Sequence, residues 1–171
     1  MVIRATELAG RSGHEAGRQL LAETYRELTG EAIPPIRVTD RGKPYFVGAD
    51  LNFSISHTDG HVFCALSGKP IGIDAEETDR EINLALAEKI LSPAEKQRWQ
   101  AAPDHRAALL RLWVLKEAFA KATGRGWGSY LSQTDFDPED TRIQQISGCY
   151  VAVIELEETE RDVCCSIPMP I

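Results

Sequence analysis

The chain has 171 residues, 43% of them hydrophobic and 26% charged, with four cysteines and a formal net charge of −7. That balance is ordinary for a soluble globular protein, long enough to bury a core in one domain or in two small similar halves. No segment approaches the ~20 apolar residues that span a bilayer, and MVIRATELAG has no charged leader followed by an apolar run. Neither a membrane partner nor a signal peptide is expected, and the expected location is the cytoplasm. Residues 1–134 balance 17 basic against 17 acidic side chains, while residues 135–171 hold nine acids and two bases. Nothing in that pattern marks a nucleic-acid binder, and the acidic stretch reads as a solvated hairpin. Cys64, Cys149, Cys164 and Cys165 show no metal-ligand spacing and read as buried free thiols.

Taken in order, Ser12 to Leu28 reads as a helix with Leu20, Leu21, Tyr25 and Leu28 as its apolar stripe and Gly30 beyond its end. IPPIRVTDRGKPYF gives a short strand, a turn at Asp40-Arg41-Gly42 and a second extended piece. LNFSISH alternates Leu51, Phe53 and Ile55 with Asn52, Ser54 and Ser56, the pattern of a half-buried strand. VFCAL and IGIDAE follow as strands, separated by SGKP as a hairpin-type turn. From Glu81 the pattern is helical, beginning with REINLALAEKILS. SPAEKQRW opens a helix with Ser92 as N-cap, Pro93 at the first position and Glu95 closing a capping box. A third helix carries WVLKEAFAKAT and is broken by GRGWG. SYLSQTDFD, CYVAVIEL and RDVCCSI are the closing strand candidates. The expected fold is α+β, a single domain over 1–171 built of two helix-plus-antiparallel-sheet halves, about 1–77 and 78–171.

Three places hold polar groups that apolar packing does not need. In GIDAEE, Asp74 and Glu76 are two apart on a strand and project together, so they repel unless a cation lies between them; the competing reading is a wet strand end. Lys116, Glu117 and Lys121 sit in an apolar helix, with Ala108, Leu112, Leu115, Phe119 and Ala122 as its core stripe. They suit a metal that carries phosphate, or simply an i,i+4 Glu-to-Lys pair. His57 ends the FSISH strand and, with Arg41 and Lys43 on the RGKP turn, offers a grip on phosphate; alone it reads as a structural histidine.

The order RGKPYF, NFSISH, GIDAEE, LWVLKEAFAKATGRG, spanning Arg41 to Gly126, resembles the 4′-phosphopantetheinyl transferases of the surfactin-synthetase-activating type. HEAGRQLL, with Arg18, is similar to the start of a helix in many members. The resemblance implies a phosphopantetheinyl transferase fold with a pseudo-twofold between its halves. It also implies a monomer, in a compact version, since members usually have several dozen more residues before the first helix. By the same resemblance, Asp74, Glu76 and Glu117 hold Mg²⁺, with Mn²⁺ as the alternative ion. Ser56, His57, Lys116 and Lys121 contact the coenzyme A pyrophosphate, and Arg18, Arg41, Gly42, Lys43 and Pro44 line its nucleotide end. Glu117 and Lys121 take the catalytic roles, as proton acceptor and as stabiliser of the leaving phosphate. The implied reaction moves the 4′-phosphopantetheine arm to a serine of an apo acyl or peptidyl carrier protein; the alternative is a silent homologue that binds coenzyme A or the carrier. Arg98, Arg106 and Arg111, on the helices leading to Glu117, are the expected landing face for an acidic carrier.

Overall fold

The computed structural model describes residues 1–157, so the strand expected at RDVCCSI, with Cys164 and Cys165, lies outside the described residues. A strand that the reading of the sequence passed over, β1 (Val2–Glu7), comes first. Helix α1 (Gly13–Thr29) begins with a reciprocal capping box between Ser12 and Glu15 and ends at Gly30, whose φ of 76° only glycine adopts without strain. Ala16, Leu20, Leu21 and Tyr25 face inward. Leu28, expected in the same stripe, is exposed, because it lies in the last turn beyond the last buried residue, Tyr25. Strands β2 (Ile36–Val38) and β3 (Pro44–Phe46) pair antiparallel across a loop in which Gly42 N donates to Thr39 O at 2.8 Å.

Strands β4 (Asn52–His57), β5 (His61–Ser67) and β6 (Ile71–Glu77) follow where expected, but their partners differ. One sheet has the order β1-β5-β4. The other, β6-β8-β7, pairs β6 with β8 (Cys149–Glu155) from Ile71↔Glu155 to Glu77↔Cys149. SGKP is therefore not a hairpin turn: the chain leaves one sheet there and enters the other. The strand expected to close the N-terminal sheet belongs with the C-terminal strands. Strand β7 (Ile143–Ile146), also unforeseen, reaches β8 through Ser147 and Gly148, both at positive φ, the two-residue turn that matches strand twist. This hairpin is not solvated as expected. Strand β8 is the middle strand of its sheet, and Cys149, Val151, Ala152, Val153 and Ile154 are buried.

The helical region also departs in detail. REINLALAEKILS forms only a 3₁₀ turn (Leu84–Leu86) and one α-turn, α2 (Ala87–Ile90), because Leu91 is extended ahead of the Ser92 cap. Helix α3 (Pro93–Ala101) has the anticipated Ser92–Glu95 capping box. Helix α4 (His105–Thr123) stops at Gly124, φ 66°. SYLSQTDFD, expected as a strand, contains a 3₁₀ turn over Ser129–Gln133. No helix among the described residues is long and apolar enough to cross a membrane.

Three cores stack these elements into four layers. Helix α1 packs on β4 and β5 through Leu20, Leu21, Phe53, Val62 and Leu66. Phe63, Ala65, Ile71, Ile73, Val151 and Val153 fill the space between the sheets. Helix α4 covers the far face through Leu112, Leu115, Ala118, Ala152 and Ile154. Cys64 and Cys149 are free and buried, as expected, and burial pushes the Cys64 thiol up to about 12. Ser54 and Ser56, expected on an open face of β4, are buried instead; their hydroxyls accept Ile73 N (3.1 Å) and Ala75 N (3.2 Å), joining β4 to β6 where no ladder runs.

Helix α4 and strand β6 approach each other very closely. A Cβ at Gly72 would collide with Ala118 O and Ala122 N, so the helix backbone lies directly on the strand. Gly72→Ala should therefore cost about 3 kcal/mol or more, at or above the upper end for overpacking. Urea unfolding will read this as a lower midpoint at unchanged slope.

Candidate functional site

On β6 the alternation that sends Ile73 and Ala75 between the sheets turns Gly72 and Asp74 toward α4. The close contact at Gly72 brings the last turns of α4 level with Asp74. Lys121 Nζ donates to Asp74 Oδ1 at 2.7 Å, and Ser56 Oγ donates to the same oxygen at 2.9 Å. Asp74 is 6% exposed, and its other oxygen, Oδ2, is buried with no hydrogen-bond partner. Such an orphaned carboxylate oxygen is costly unless something positive meets it. Glu76 Oε1 accepts from the Arg80 guanidinium. Glu117 Oε1 accepts from Trp127 Nε1 at 2.6 Å. Burial, and after it the Asp74 charge, raise the Glu117 carboxyl above the usual range, against the lowering pull of Trp127, Lys121 and Arg80.

These carboxylates line a cavity of about 290 Å³, together with His57, Trp113 and Lys121. It shares Ile55, Glu117 and Lys121 with a neighbouring cavity of about 300 Å³ walled by Arg41, Gly42, Lys43 and Pro44. A third, of about 470 Å³, adjoins both and holds His14, Arg18 and Arg37 over an apolar floor that includes Phe53. One groove thus runs from the start of α1 to the carboxylates. Lys43 stands in its middle. Its stem lies on Gly124, where a Cβ would come within 2.8 Å of Cδ, and its ammonium caps the end of α4 at Ala122 O. Burial lowers its pKa to about 8. The His57 ring rests on Gly13, where a Cβ would come within 2.6 Å of it.

Of the site residues expected from sequence, Arg18, Arg41, Gly42, Lys43, Pro44, Ser56, His57, Asp74, Glu76, Glu117 and Lys121 all line this groove. The Ser56 hydroxyl is committed to Asp74 and to the backbone of Ala75. Lys116 is elsewhere. One residue before Glu117, it points about 100° away into the interior, with no exposed side-chain surface. There it pairs with Glu95 at 2.8 Å and donates to Leu131 O (2.6 Å) and Thr134 O (3.0 Å). It holds the segment after α4 rather than a phosphate. The three arginines of the expected landing face, all partly exposed, each also reach a backbone carbonyl. Arg98 donates to Phe136 O, Arg106 to Thr78 O and Arg111 to Pro138 O and Glu139.

The reading of the sequence missed Arg80, Trp127 and the second role of Glu95. Arg80 stands four residues after Glu76 and Trp127 within the helix-breaking GRGWG, so loop position alone gave no pairing signal. Glu95 was visible as a cap, and it does accept Ser92 N (2.8 Å); its other oxygen takes Phe136 N (2.9 Å). Among the described residues no group of three His, Cys, Asp or Glu side chains stands ready to hold a metal ion.

Cations along one groove, ending at an acidic corner with an unmet carboxylate oxygen, fit an anionic phosphate ester. The family model of the 4′-phosphopantetheinyl transferase superfamily matches residues 70–166, and the chain belongs to that superfamily. It is 38% identical over 121 residues to the 4′-phosphopantetheinyl transferase gsp of Aneurinibacillus migulanus, covering 61% of this chain and 50% of that protein. It is 38% identical over 92 residues to a 4′-phosphopantetheinyl transferase of Bacillus subtilis, covering 52% and 41%. The match to the 4′-phosphopantetheinyl transferase Sfp of Bacillus subtilis strain 168 is 37% over 79 residues, covering 45% and 35%. The chain spans about half the length of the curated relatives it matches.

The buried Lys116–Glu95 pair has a direct test. Lys116→Met should destabilise the protein by about 3–5 kcal/mol, because it leaves Glu95 charged and buried. Adding Glu95→Gln should recover much of that loss, measured by urea unfolding of both variants.

Proposed function

We propose that the chain transfers the 4′-phosphopantetheine arm of coenzyme A to a serine of an apo acyl or peptidyl carrier protein, releasing adenosine 3′,5′-bisphosphate. The observation that carries this reading is Asp74 Oδ2, buried and unpartnered at the end of a groove lined by Lys43, His57 and Lys121. Membership of the superfamily and the names of the relatives support it. Asp74, Glu76 and Glu117 would hold Mg²⁺, or Mn²⁺ in its place. The orphaned oxygen and the mutual repulsion of Asp74 and Glu117 fit a divalent cation better than they fit an internal salt bridge. When bound, the ion supplies neutralisation of the pyrophosphate charge.

The chain's own groups divide the remaining work. Arg18, Arg41 and Lys43, beside Gly42 and Pro44, bind the nucleotide end of coenzyme A, and His57 lies between them and the carboxylates. Ser56 orients Asp74 through its hydroxyl. The carrier serine Oγ attacks the phosphorus nearer the pantetheine, and the bond from that phosphorus to the bridging oxygen breaks. Lys121, 2.7 Å from Asp74, puts an ammonium beside the leaving phosphate. Glu117, whose Oε1 is held by Trp127, is the group that takes up the serine proton. A carboxyl raised by burial is a better base than a free one. The two layers of helix on a three-stranded antiparallel sheet also support an approximate twofold between halves of one monomer.

Incubation with coenzyme A, Mg²⁺ and a panel of apo carriers should add the mass of the arm to at least one carrier, read by intact-protein mass spectrometry. Transfer should stop in chelator and in Asp74→Ala, whose far-UV circular dichroism should match wild type. Undiminished transfer in chelator would overturn the cation assignment. Lys43 adds a pH signature. In the free protein it loses its proton near pH 8, whereas an unfolded lysine keeps it until about 10.5. The folded state therefore carries fewer protons than the unfolded one in that window, and this group's contribution to stability rises with pH from about 8 to 10.5. A phosphate beside it restores the charge, so coenzyme A affinity should fall above about pH 8 with proton uptake on binding, seen as a buffer-dependent calorimetric enthalpy. Lys43→Arg, always protonated, should flatten that dependence.

A further inference from the structure

Trp127 is 44% exposed, a costly place for the largest apolar side chain, and no core claims it. Its indole is nevertheless fixed on two sides. One face stacks on Trp113, with ring centroids 4.9 Å apart and planes at 27°, and its N–H donates to Glu117 Oε1 at 2.6 Å. The segment carrying it is built to stay put. Gly124 and Gly126, at φ 66° and 69°, turn the chain back along α4. Tyr130 Oη donates to Gly126 O at 2.6 Å, and the Arg125 guanidinium lies 4.2 Å from the Tyr130 ring. Further on, the buried ammonium of Lys116 holds Leu131 O and Thr134 O. Adjacent residues of α4 thus act together: Lys116 anchors the returning segment on the inside, and that segment delivers a donor to Glu117 on the outside.

We propose that Trp127 is a positioning residue for the third carboxylate of the cation corner. By taking Glu117 Oε1, the indole N–H fixes the carboxylate plane and leaves Oε2 as its one oxygen for the ion beside Asp74 Oδ2. An outer partner of this kind pre-orients a ligand that would otherwise swing on a flexible side chain. This rests on the cation reading given above, and the experiment separates the two. Mn²⁺ binding to the full chain, without coenzyme A or carrier, is titrated by electron paramagnetic resonance for wild type, Asp74→Asn, Trp127→Phe and Trp127→His. Phenylalanine keeps a ring on Trp113 but has no N–H; histidine keeps a ring and an N–H.

Wild type should bind and Asp74→Asn should not. Trp127→Phe should weaken Mn²⁺ by about tenfold, the scale of a lost outer-shell partner, with its melting temperature unchanged. Trp127→His should recover part of the loss, which a purely space-filling role for the ring would not produce. Wild-type affinity in Trp127→Phe overturns the positioning role while leaving the cation site standing. Equal binding by wild type and Asp74→Asn overturns both. Should near-UV circular dichroism show the segment disordered in Trp127→Phe, Trp127→His decides: near-wild-type affinity supports the role, and a tenfold loss overturns it.

Discussion

Everything at the site depends on how closely α4 can lie on β6. Gly72 is the reason it lies there at all: without a side chain, the strand admits the backbone of Ala118 and Ala122 directly. Two residues along the strand the next side chain on that face is Asp74, and one helical turn along α4 from Glu117 is Lys121. The ion pair between Asp74 and Lys121, and the nearness of Glu117 to both, are geometric consequences of that one contact. A larger residue at Gly72 would move the helix outward and open the corner.

Around this contact the structure separates two kinds of charge. Lys116 and Glu95 are both fully buried, and they satisfy each other and four backbone groups between them. Such a pair gives little net stability over an apolar one, but it tolerates no single loss. It clamps the segment from Leu131 to Phe136 against α3 and α4. Lys121 and Glu117, on the neighbouring face, are half-buried and open to a cavity. Lysines five positions apart on one helix thus have unrelated tasks. The arginines of α3 and α4 are partly exposed, and each holds a backbone carbonyl of a distant loop.

The junction between the sheets is polar where it meets the groove and apolar away from it. Phe63, Ile71, Ile73, Val151 and Val153 exclude water over most of the interface. At its edge Ser54 and Ser56 replace the missing ladder between β4 and β6, and Ser56 also sets the rotation of the Asp74 carboxylate. The groove therefore has a floor from one sheet and an acidic end from the other, and helix α1 supplies its far wall through Gly13, His14 and Arg18. Close approach again needs glycine, because at Gly17 a Cβ would come within 2.9 Å of Ile55.

Local rules were enough for what is local. The helix opening at Ser12, the Ser92–Glu95 capping box, the stop at Gly124, the turn at Gly42 and the alternation of β4 and β6 were all legible, because each is decided within a few residues. The order of four motifs likewise indicated the family and nearly all the groove residues. Pairing across the chain was not legible. Nothing in SGKP says that the strand after it crosses to another sheet, since that depends on which strand, β4 or β8, offers the better ladder. Nor could WVLKEAF say that Lys116 faces Glu95 while Glu117 faces the groove. On an apolar helix covered on nearly every side, periodicity cannot choose between two buried faces, and only the partners packed against each face decide which charge is structural and which is left for chemistry.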